Sequence, residues 1–401
     1  MNTSFRAVQI SKHVHWVGAV DWSIRNFHGY ATTRGSTYNA YLITGEKTIL
    51  MDTVKAPFKK EMLARIGSLV NPGDIDVIIC NHAEMDHSGS LPDVIEMVRP
   101  EKIFASAMGV KALQDQFHLN GQIVPVKDKQ TIQFGELSLT FLETRMIHWP
   151  DSMMTYLAED RVLFSQDGFG MHLASSERFA DQVEDWILEL EAAKYYANIL
   201  MPYSPLITKL IQRLSKLDLD IDIIAPDHGP IWRQKLNRII DLYARWAEQR
   251  PTGKAVVVYD TMWGSTEKMA RAIADGLTAG GAIARLLPLG SSHRTDAATE
   301  VLEAGALLVG SPTINNQLFP TVADVLSYLK GLKPRNLIGT AFGSYGWSGE
   351  SVGLIREVLD GMGVVVGEDL KVKYVPDASV LSRCAALGST VAGRLAELSA
   401  Q

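Results

Sequence analysis

One segment restricts the fold of this chain more than any other. Residues 82–87 hold four side chains that can bind a metal: His82, Glu84, Asp86 and His87. They directly follow an apolar run, residues 76–80, of the kind that forms buried strands. Three further candidates each follow another short apolar run: His148, Asp167 and His228. Taken alone, each residue is compatible with an ordinary hydrogen-bonded role, but side chains placed after several strands can meet at one sheet edge. The pattern therefore predicts a strand-rich domain with a metal site.

Length and composition limit the other possibilities. The chain has 401 residues, 46% of them hydrophobic, which fits two globular domains better than one. The net charge is only -6 and the basic residues are scattered, so we expect no nucleic-acid binding and no membrane association. Residues 1–17 lack the apolar core of a signal peptide, and no apolar run reaches bilayer-spanning length. We therefore expect a cytoplasmic protein.

Cysteine is scarce, since the only two, Cys80 and Cys384, lie in different halves of the chain. A disulfide framework is not expected from such a pair. An iron–sulfur cluster or a rubredoxin-type iron site would need several thiolates. If the chain is a redox protein, its electron donor must be a separate molecule.

The two halves of the chain differ in chemistry. Nine of the ten histidines precede residue 250, and only His293 follows it. A helix predicted at about residues 232–248 is followed by Pro251 and Gly253, and then by a strongly apolar strand at residues 255–259. We place a linker at residues 249–253 and predict domains at residues 1–250 and 251–401. The second half alternates strands and helices, which indicates a parallel sheet covered on both faces.

Three loops of the second half each follow a predicted strand and form a candidate flavin site. The first precedes a predicted helix, whose backbone N–H groups and dipole favour an anion. It contains no Lys or Arg and no Gly-x-Gly-x-x-Gly, which favours the terminal phosphate of flavin mononucleotide (FMN) over FAD or NAD. The aromatic residues offer flat surfaces for a flavin ring. The candidate cofactor-binding residues are Thr261, Met262, Trp263, Gly264, Ser265, Thr266, Ser311, Pro312, Thr313, Ile314, Asn315, Asn316, Ser344, Tyr345, Gly346, Trp347, Ser348 and Gly349.

These motifs resemble two known folds in a known order. The first half resembles the metallo-β-lactamase superfamily, whose motif is His-x-His-x-Asp-His followed by His, Asp and His. Glu84 replaces the second histidine, and a carboxylate there favours iron or manganese over zinc. Flavodiiron proteins carry the same replacement, followed by a flavodoxin-like half that residues 254–398 resemble. The resemblance implies an α/β fold: an N-terminal metallo-β-lactamase-like αββα sandwich followed by a flavodoxin-like doubly wound parallel sheet.

The resemblance also implies cofactors and site residues. Each chain would bind FMN and two non-haem irons, with Asp167 bridging the metals. The first iron would take His82, Glu84 and His148, and the second Asp86, His87 and His228. Residues expected to orient ligands or donate protons near the metals are His28, His172, Tyr195 and Tyr196. The two tyrosines are equally compatible with helix packing.

The function implied by this resemblance is reduction of O2 to water, with reduction of NO to N2O as a second activity. It further implies a separate donor such as rubredoxin with its reductase, and a head-to-tail homodimer or a tetramer. Two alternatives belong to other classes. One is a metal-dependent hydrolase of the metallo-β-lactamase superfamily fused to a flavodoxin domain, which stoichiometric zinc would indicate. The other is an electron-transfer flavoprotein without catalysis, which turnover with O2 or NO would exclude.

Overall fold

The computed structural model of the chain describes residues 5–119 and 123–399, and the chain divides into two units. Unit 1 comprises Met1–Tyr195 and Pro205–Ala244, and unit 2 comprises Tyr196–Ser204 and Arg245–Gln401. The chain therefore passes from one unit to the other three times. We retain domains at residues 1–250 and 251–401 as a proposal, with residues 196–204 assigned to the second unit.

Unit 1 is built mainly from two sheets. The first has seven strands in the order β1-β2-β7-β8-β9-β10-β11, and the second has five in the order β12-β13-β14-β15-β16. In chain order the strands are β1 (Val8–Gln9), β2 (Val14–Trp16), β3 (Ala19–Asp21), β4 (Asn26–Phe27), β5 (Tyr30–Ala31), β6 (Ser36–Tyr38), β7 (Tyr41–Ile43), β8 (Ile49–Met51), β9 (Val77–Cys80), β10 (Lys102–Ser106), β11 (Ile123–Val126), β12 (Thr131–Phe134), β13 (Leu137–Glu143), β14 (Met153–Leu157), β15 (Val162–Gln166) and β16 (Ile223–Pro226).

The core of unit 1 has two layers because alternate residues of a strand point to opposite faces of its sheet. Ile79 of β9 packs between the sheets in one cluster with Phe141 and Phe164 of the second sheet. Its neighbour Ile78 packs on the outer side, in the cluster that holds Met62. The helices in this half of the chain are α1 (Lys59–Ile66), α2 (Met85–Ser88), α3 (Leu91–Val98), α4 (Ala107–Phe117), α5 (Asp185–Tyr195), α6 (Ser204–Lys216) and α7 (Leu236–Glu248). The predicted αββα sandwich is confirmed.

Parallel pairing aligns the strand ends that carry the predicted ligands. Strands β8, β9 and β10 run parallel to one another, and so do β15 and β16. All four residues of β9, inside the first sheet, and all four of β16, at the end of the second, are buried. The turns that follow β9, β15 and β16 are thereby fixed by strands that cannot shift without disturbing the core.

Helix α7 begins four residues later than predicted. The prediction started the helix at Trp232, but the backbone of Trp232 exchanges hydrogen bonds of 2.9 and 2.8 Å with Ile224 of β16. Its indole N–H also donates to the backbone carbonyl of Phe169 at 3.0 Å. These contacts hold the residue in an extended pairing, so that the helix starts only at Leu236.

Unit 2 contains a parallel sheet in the order β18-β17-β19-β20-β21, with β22 also paired to β20. Its strands are β17 (Lys254–Tyr259), β18 (Ile283–Pro288), β19 (Ala306–Gly310), β20 (Ile338–Tyr345), β21 (Val365–Val366) and β22 (Leu370–Lys373). Its helices are α8 (Ser265–Ala279), α9 (Arg294–Val301), α10 (Pro320–Leu332), α11 (Ser351–Gly361) and α12 (Ala378–Ser399). The strand order reverses beside β17, which is where doubly wound sheets bind ligands. The predicted flavodoxin-like sheet is confirmed. Among residues 5–119 and 123–399, no helix is both long and apolar enough to cross a bilayer.

Helices α8 and α12 approach each other so closely that only glycine fits at two positions. A Cβ atom on Gly276 would lie 1.9 Å from the carbonyl oxygen of Ala385, and one on Gly388 would lie 2.1 Å from that of Ile273. Both distances are far below van der Waals contact, so the helix pair depends on these glycines.

We expect Gly388→Ala to destabilise the protein by about 2 kcal/mol or more, because the added methyl group would force the two helices apart. Gly393→Ala in the same helix is the matched control, since a Cβ atom there would meet nothing within 4 Å. That change should be neutral or stabilising by up to about 1 kcal/mol, as alanine favours the helix. Urea unfolding measures the free energy of unfolding of both variants. Equal stability of the two variants would show that α8 and α12 can separate at no cost.

Candidate metal centre and cofactor cavity

The carboxyl end of β9 supplies four of the predicted ligands. His82 and Glu84 lie in the turn after the strand, and the short helix α2 carries Asp86 and His87. Glu84 has an extended backbone conformation (φ -61, ψ 144) at the N-cap of α2, so the chain changes direction there within a few residues. His82, Asp86 and His87 are buried, which requires partners for their polar atoms.

The structure brings all seven predicted ligands together in two groups. Within each group, one ligand atom from every residue lies within 4.8 Å of the others. His148 comes from the connection between β13 and β14, while Asp167 and His228 follow β15 and β16. The first group is His82, Glu84, His148 and Asp167, and the second is Asp86, His87 and His228.

Asp167 lies between the groups and turns one carboxylate oxygen toward each. Its Oδ2 is 3.0 Å from Nε2 of His148 and 3.3 Å from Nε2 of His82. Its Oδ1 is 3.3 Å from Nε2 of His87 and 3.6 Å from Nε2 of His228. A carboxylate in this position can bind one cation through each oxygen and offset their mutual repulsion. The position of Asp167 is compatible with the expected bridge, which stays a prediction.

Several buried atoms of these groups lack a hydrogen-bond partner among the residues that the structure describes. They include both carboxylate oxygens of Asp86 and Asp167 and both ring nitrogens of His87. Nε2 of His87 is near Oδ1 of Asp167, but the two atoms lack hydrogen-bond geometry. Each unpaired buried group costs about 1–3 kcal/mol, so their convergence fits bound cations. A donor set of imidazoles and carboxylates without thiolates suits iron or manganese.

Two ligand histidines are held by acceptors outside the groups. Oδ2 of Asp151 lies 2.9 Å from Nδ1 of His82 and also accepts the backbone N–H of Ala83 at 2.6 Å. The backbone carbonyl of Thr37 lies 2.6 Å from Nδ1 of His228. Since Nδ1 is the donor in both contacts, Nε2 is left as the metal-binding nitrogen. Sequence analysis missed Asp151, although it follows His148 by three residues, because many unrelated carboxylates lie as close to a candidate ligand.

Burial and mutual contact act in opposite directions on the pKa values of this centre. Desolvation would raise the pKa of Glu84, but contacts with His148 and His82 lower it to about 2. The pKa of Asp86 is likewise lowered to about 2, against desolvation, by the charge of His87 and a contact with His228. Desolvation would lower the pKa of His148, but contacts with Asp167 and Glu84 raise it to about 8. The carboxylates are therefore ionised at neutral pH, and cations would displace the protons that the histidines hold.

Three of the four residues predicted beside the metals contact the ligand groups or their neighbours. Nε2 of His28 lies 3.5 Å from Oε1 of Glu84, and the His28 side chain is 76% exposed. The ring of His172 is 4.5 Å from that of His228. The ring of Tyr195 is 5.1 Å from that of His172, and both residues are buried.

Tyr196 has different surroundings. Its hydroxyl lies 3.0 Å from the hydroxyl of Ser204, and its ring packs against Trp246, with both partners in unit 2. Helix α5 ends at Tyr195, and a π-helix, Tyr196–Leu200, follows directly. These contacts match the packing alternative, and a role of Tyr196 beside the metals stays a prediction.

In unit 2, a cavity of about 500 Å³ is lined by all three predicted cofactor loops. Trp263 and Trp347 line it and are 93% and 85% exposed, so two large flat rings lie open beside it. Aromatic faces of this kind can stack on a flavin ring. The residues that line the cavity are Thr261, Met262, Trp263, Ser265, Pro312, Thr313, Ile314, Asn315, Asn316, Ser344, Tyr345, Gly346, Trp347, Ser348, Tyr374 and Val375.

Four predicted cofactor residues shape the loops without lining the described cavity. Gly264 has φ 80 at the N-cap of α8, a conformation that other residues rarely adopt, and Gly349 has φ 84. The hydroxyl of Thr266 contacts that of Ser344 at 3.2 Å. The hydroxyl of Ser311 accepts the backbone N–H of Phe319 at 2.9 Å.

Two residues that line the cavity, Tyr374 and Val375, were not predicted. They follow β22, a strand without a recognisable motif in the sequence. None of the described residues that line the cavity is Lys or Arg, whereas helix α8 begins in the first loop. Its first backbone N–H groups have no acceptor within the helix and can bind a phosphate. The cavity therefore fits FMN.

Comparisons with known proteins agree with this geometry. Residues 37–229 match the ODP family beta lactamase, and residues 257–388 match flavodoxin. The chain is 46% identical to the nitric oxide reductase of Moorella thermoacetica, over 97% of this chain and 99% of that protein. The solved structure of the rubredoxin oxygen:oxidoreductase from the anaerobe Desulfovibrio gigas is 44% identical, with a TM-score of 0.97 over 99% of this chain and 100% of that one. The crystal structure of the flavodiiron protein from Giardia intestinalis is 34% identical, with a TM-score of 0.95 over 98% of both chains.

We expect Asp167→Asn to lose most of its bound iron, because an amide cannot offset the repulsion of two cations as a carboxylate does. His87→Asn, which removes one neutral ligand, should retain more metal and part of the activity. Asp160→Asn is the matched control, since this carboxylate is buried in unit 1 but contacts His13 and not the metal ligands. Elemental analysis of the iron content tests whether Asp167→Asn loses more metal than His87→Asn. Full iron in Asp167→Asn would show that Asp167 does not bridge.

Proposed function

The chain belongs to the flavodiiron protein family, and we propose that it reduces O2 to water, with reduction of NO to N2O as a second activity. FMN and two non-haem irons are its cofactors. The observation that carries the proposal is the carboxylate of Asp167, which faces one group of metal ligands with each oxygen. A hydrolytic role would leave the flavin cavity in the same chain without a purpose.

The electron balance fits both reactions. Two ferrous ions supply two electrons and a reduced flavin supplies two more, which equals the four needed with four protons to turn O2 into two waters. Two electrons and two protons suffice to couple two NO molecules into N2O and one water. Iron centres that lie side by side can bind both atoms of a diatomic substrate or two such molecules.

We assign the following roles to individual residues. His82, Glu84 and His148 would hold one iron, Asp86, His87 and His228 would hold the other, and Asp167 would offer one carboxylate oxygen to each. Asp151 and the carbonyl of Thr37 keep Nε2 of His82 and His228 directed at the metals.

Protons for the reaction must reach a largely buried site. His28 is exposed and lies 3.5 Å from Glu84, so it can pass protons from solvent to the ligand groups. The ring of His172 packs beside that of His228 in the second group, and the ring of Tyr195 packs on His172.

The electron donor would be a separate protein such as rubredoxin, reduced by its own reductase. The chain supports this proposal because its two cysteines cannot form a rubredoxin-type site. Both cysteines are free and buried, which is consistent with the reducing conditions of the cytoplasm that we propose as its location.

The working unit would be a head-to-tail homodimer, or a tetramer made of two such dimers, with the flavin of one chain facing the dimetal site of the other. An isologous pairing would complete two identical active sites at once.

We expect the reduced full-length protein to consume O2 without releasing peroxide, and to convert two NO into one N2O. An oxygen electrode with a peroxide assay, and gas chromatography for N2O, measure the two reactions. Asp167→Asn should abolish both. A protein that contains stoichiometric zinc and no iron after growth in iron-replete medium, and that consumes neither gas, would contradict the proposal.

Subunit mixing tests the dimer. One variant lacks the metal site (His82→Ala with Glu84→Ala), and the other lacks flavin binding (Gly264→Val with Ser265→Phe). Each should be inactive alone, whereas heterodimers should contain one competent pair and recover activity. Failure to recover under conditions that demonstrably exchange subunits would mean that electrons pass within one chain.

A further inference from the structure

The carboxylate of Asp260 joins the first loop of the flavin cavity to the helix that follows the second loop. Asp260 directly follows β17, and its Oδ1 accepts the backbone N–H of Thr261, the first cavity-lining residue, at 2.7 Å. Its Oδ2 accepts a hydrogen bond from the hydroxyl of Thr321. Thr321 lies in the first turn of α10, directly after the second loop. One side chain thus connects the first loop to the start of α10.

The connection continues to the start of α8. Oγ1 of Thr261 accepts the backbone N–H of Gly264 at 3.0 Å, and Gly264 is the N-cap of that helix. The hydrogen bonds therefore run from Thr321 through Asp260 and Thr261 to the turn that precedes the free N–H groups of α8. A displacement of Asp260 would release this turn.

Charge does not explain the presence of Asp260. The phosphate of FMN is an anion, and no Lys or Arg is found among the described residues that line the cavity. A carboxylate next to the first loop opposes anion binding by Coulomb repulsion. Any contribution that Asp260 makes to phosphate binding must come from geometry.

We propose that Asp260 is a positioning residue for the flavin phosphate, holding the loop at residues 261–265 in the conformation that presents the N–H groups of α8. The inference rests on the proposed binding of FMN in this cavity. A loop that is already ordered loses less conformational entropy when the phosphate binds, which raises affinity.

The test compares FMN with riboflavin, which has the same ring but no phosphate. Full-length protein from which the flavin has been removed is titrated with each compound, and quenching of flavin fluorescence gives the dissociation constants. Asp260→Ala should weaken FMN binding by about tenfold or more and change riboflavin binding by less than about twofold.

Further variants distinguish an effect of positioning on FMN binding from an effect of charge and from a general loss of folding. Asp260→Asn can accept the N–H of Thr261 and donate to the hydroxyl of Thr321, so it should bind FMN like the unchanged protein. Thr321→Val removes only the second bond and should weaken FMN binding by less than Asp260→Ala. Asp296→Ala is the control, because Asp296 also fixes a helix start in unit 2 but lies outside the cavity.

The outcomes distinguish this inference from the proposed function. Failure of the unchanged chain to bind FMN would overturn both. Normal FMN binding by Asp260→Ala would overturn only the role of Asp260, and so would an equal loss for FMN and riboflavin. A loss in Asp260→Asn as large as in Asp260→Ala would assign the effect to charge. If riboflavin binds too weakly to measure, the difference in FMN affinity between Asp260→Asn and Asp260→Ala decides the test.

Discussion

Negative charge buried at the end of a sheet is the constraint on which unit 1 depends. Glu84 and Asp167 offer ligand atoms within 4.8 Å of each other in a site closed to most solvent. Two like charges at about 4 Å repel by about 4 kcal/mol even at an effective dielectric constant of 20. Histidines beside them relieve part of this repulsion by holding protons, and metal ions relieve it more completely. Metal binding and the stability of the fold are therefore linked in this unit.

The two units of the chain offer different kinds of groups to their charged ligands. Unit 1 gathers ionised side chains in the turns and connections that follow buried strands. Unit 2 offers an anionic cofactor neutral backbone N–H groups, exposed indoles and hydroxyl-bearing loops. The first arrangement gives rigid coordination of small ions. The second lets a large planar molecule enter and leave without an ion pair that must be broken.

The sequence was sufficient for the parts of the site that have a local signal. The seven metal ligands follow apolar strands and share a motif, so their convergence could be expected, and three loops at strand ends indicated the flavin cavity. Contacts between segments that are far apart in the sequence have no local sequence signal. Asp151, Tyr374 and Val375 carry no motif, and only the tertiary fold brings them to their sites. The contacts of Tyr196 with Ser204 and Trp246 likewise join segments whose sequences carry no sign of the pairing.

Because the chain passes between the units three times, a single cut cannot separate them. Residues 196–204 lie in the first half of the sequence, yet they cluster with unit 2, where Asn198 binds the hydroxyl of Tyr328 at 2.8 Å. A gene cut at residue 250 would deliver a flavin domain without this segment and expose the apolar surface that it covers. Exchange of flavin domains between relatives by simple recombination at the linker would meet the same obstacle. The second unit is thus complete only with residues 196–204 from the first half of the sequence, although each unit has a sheet of its own.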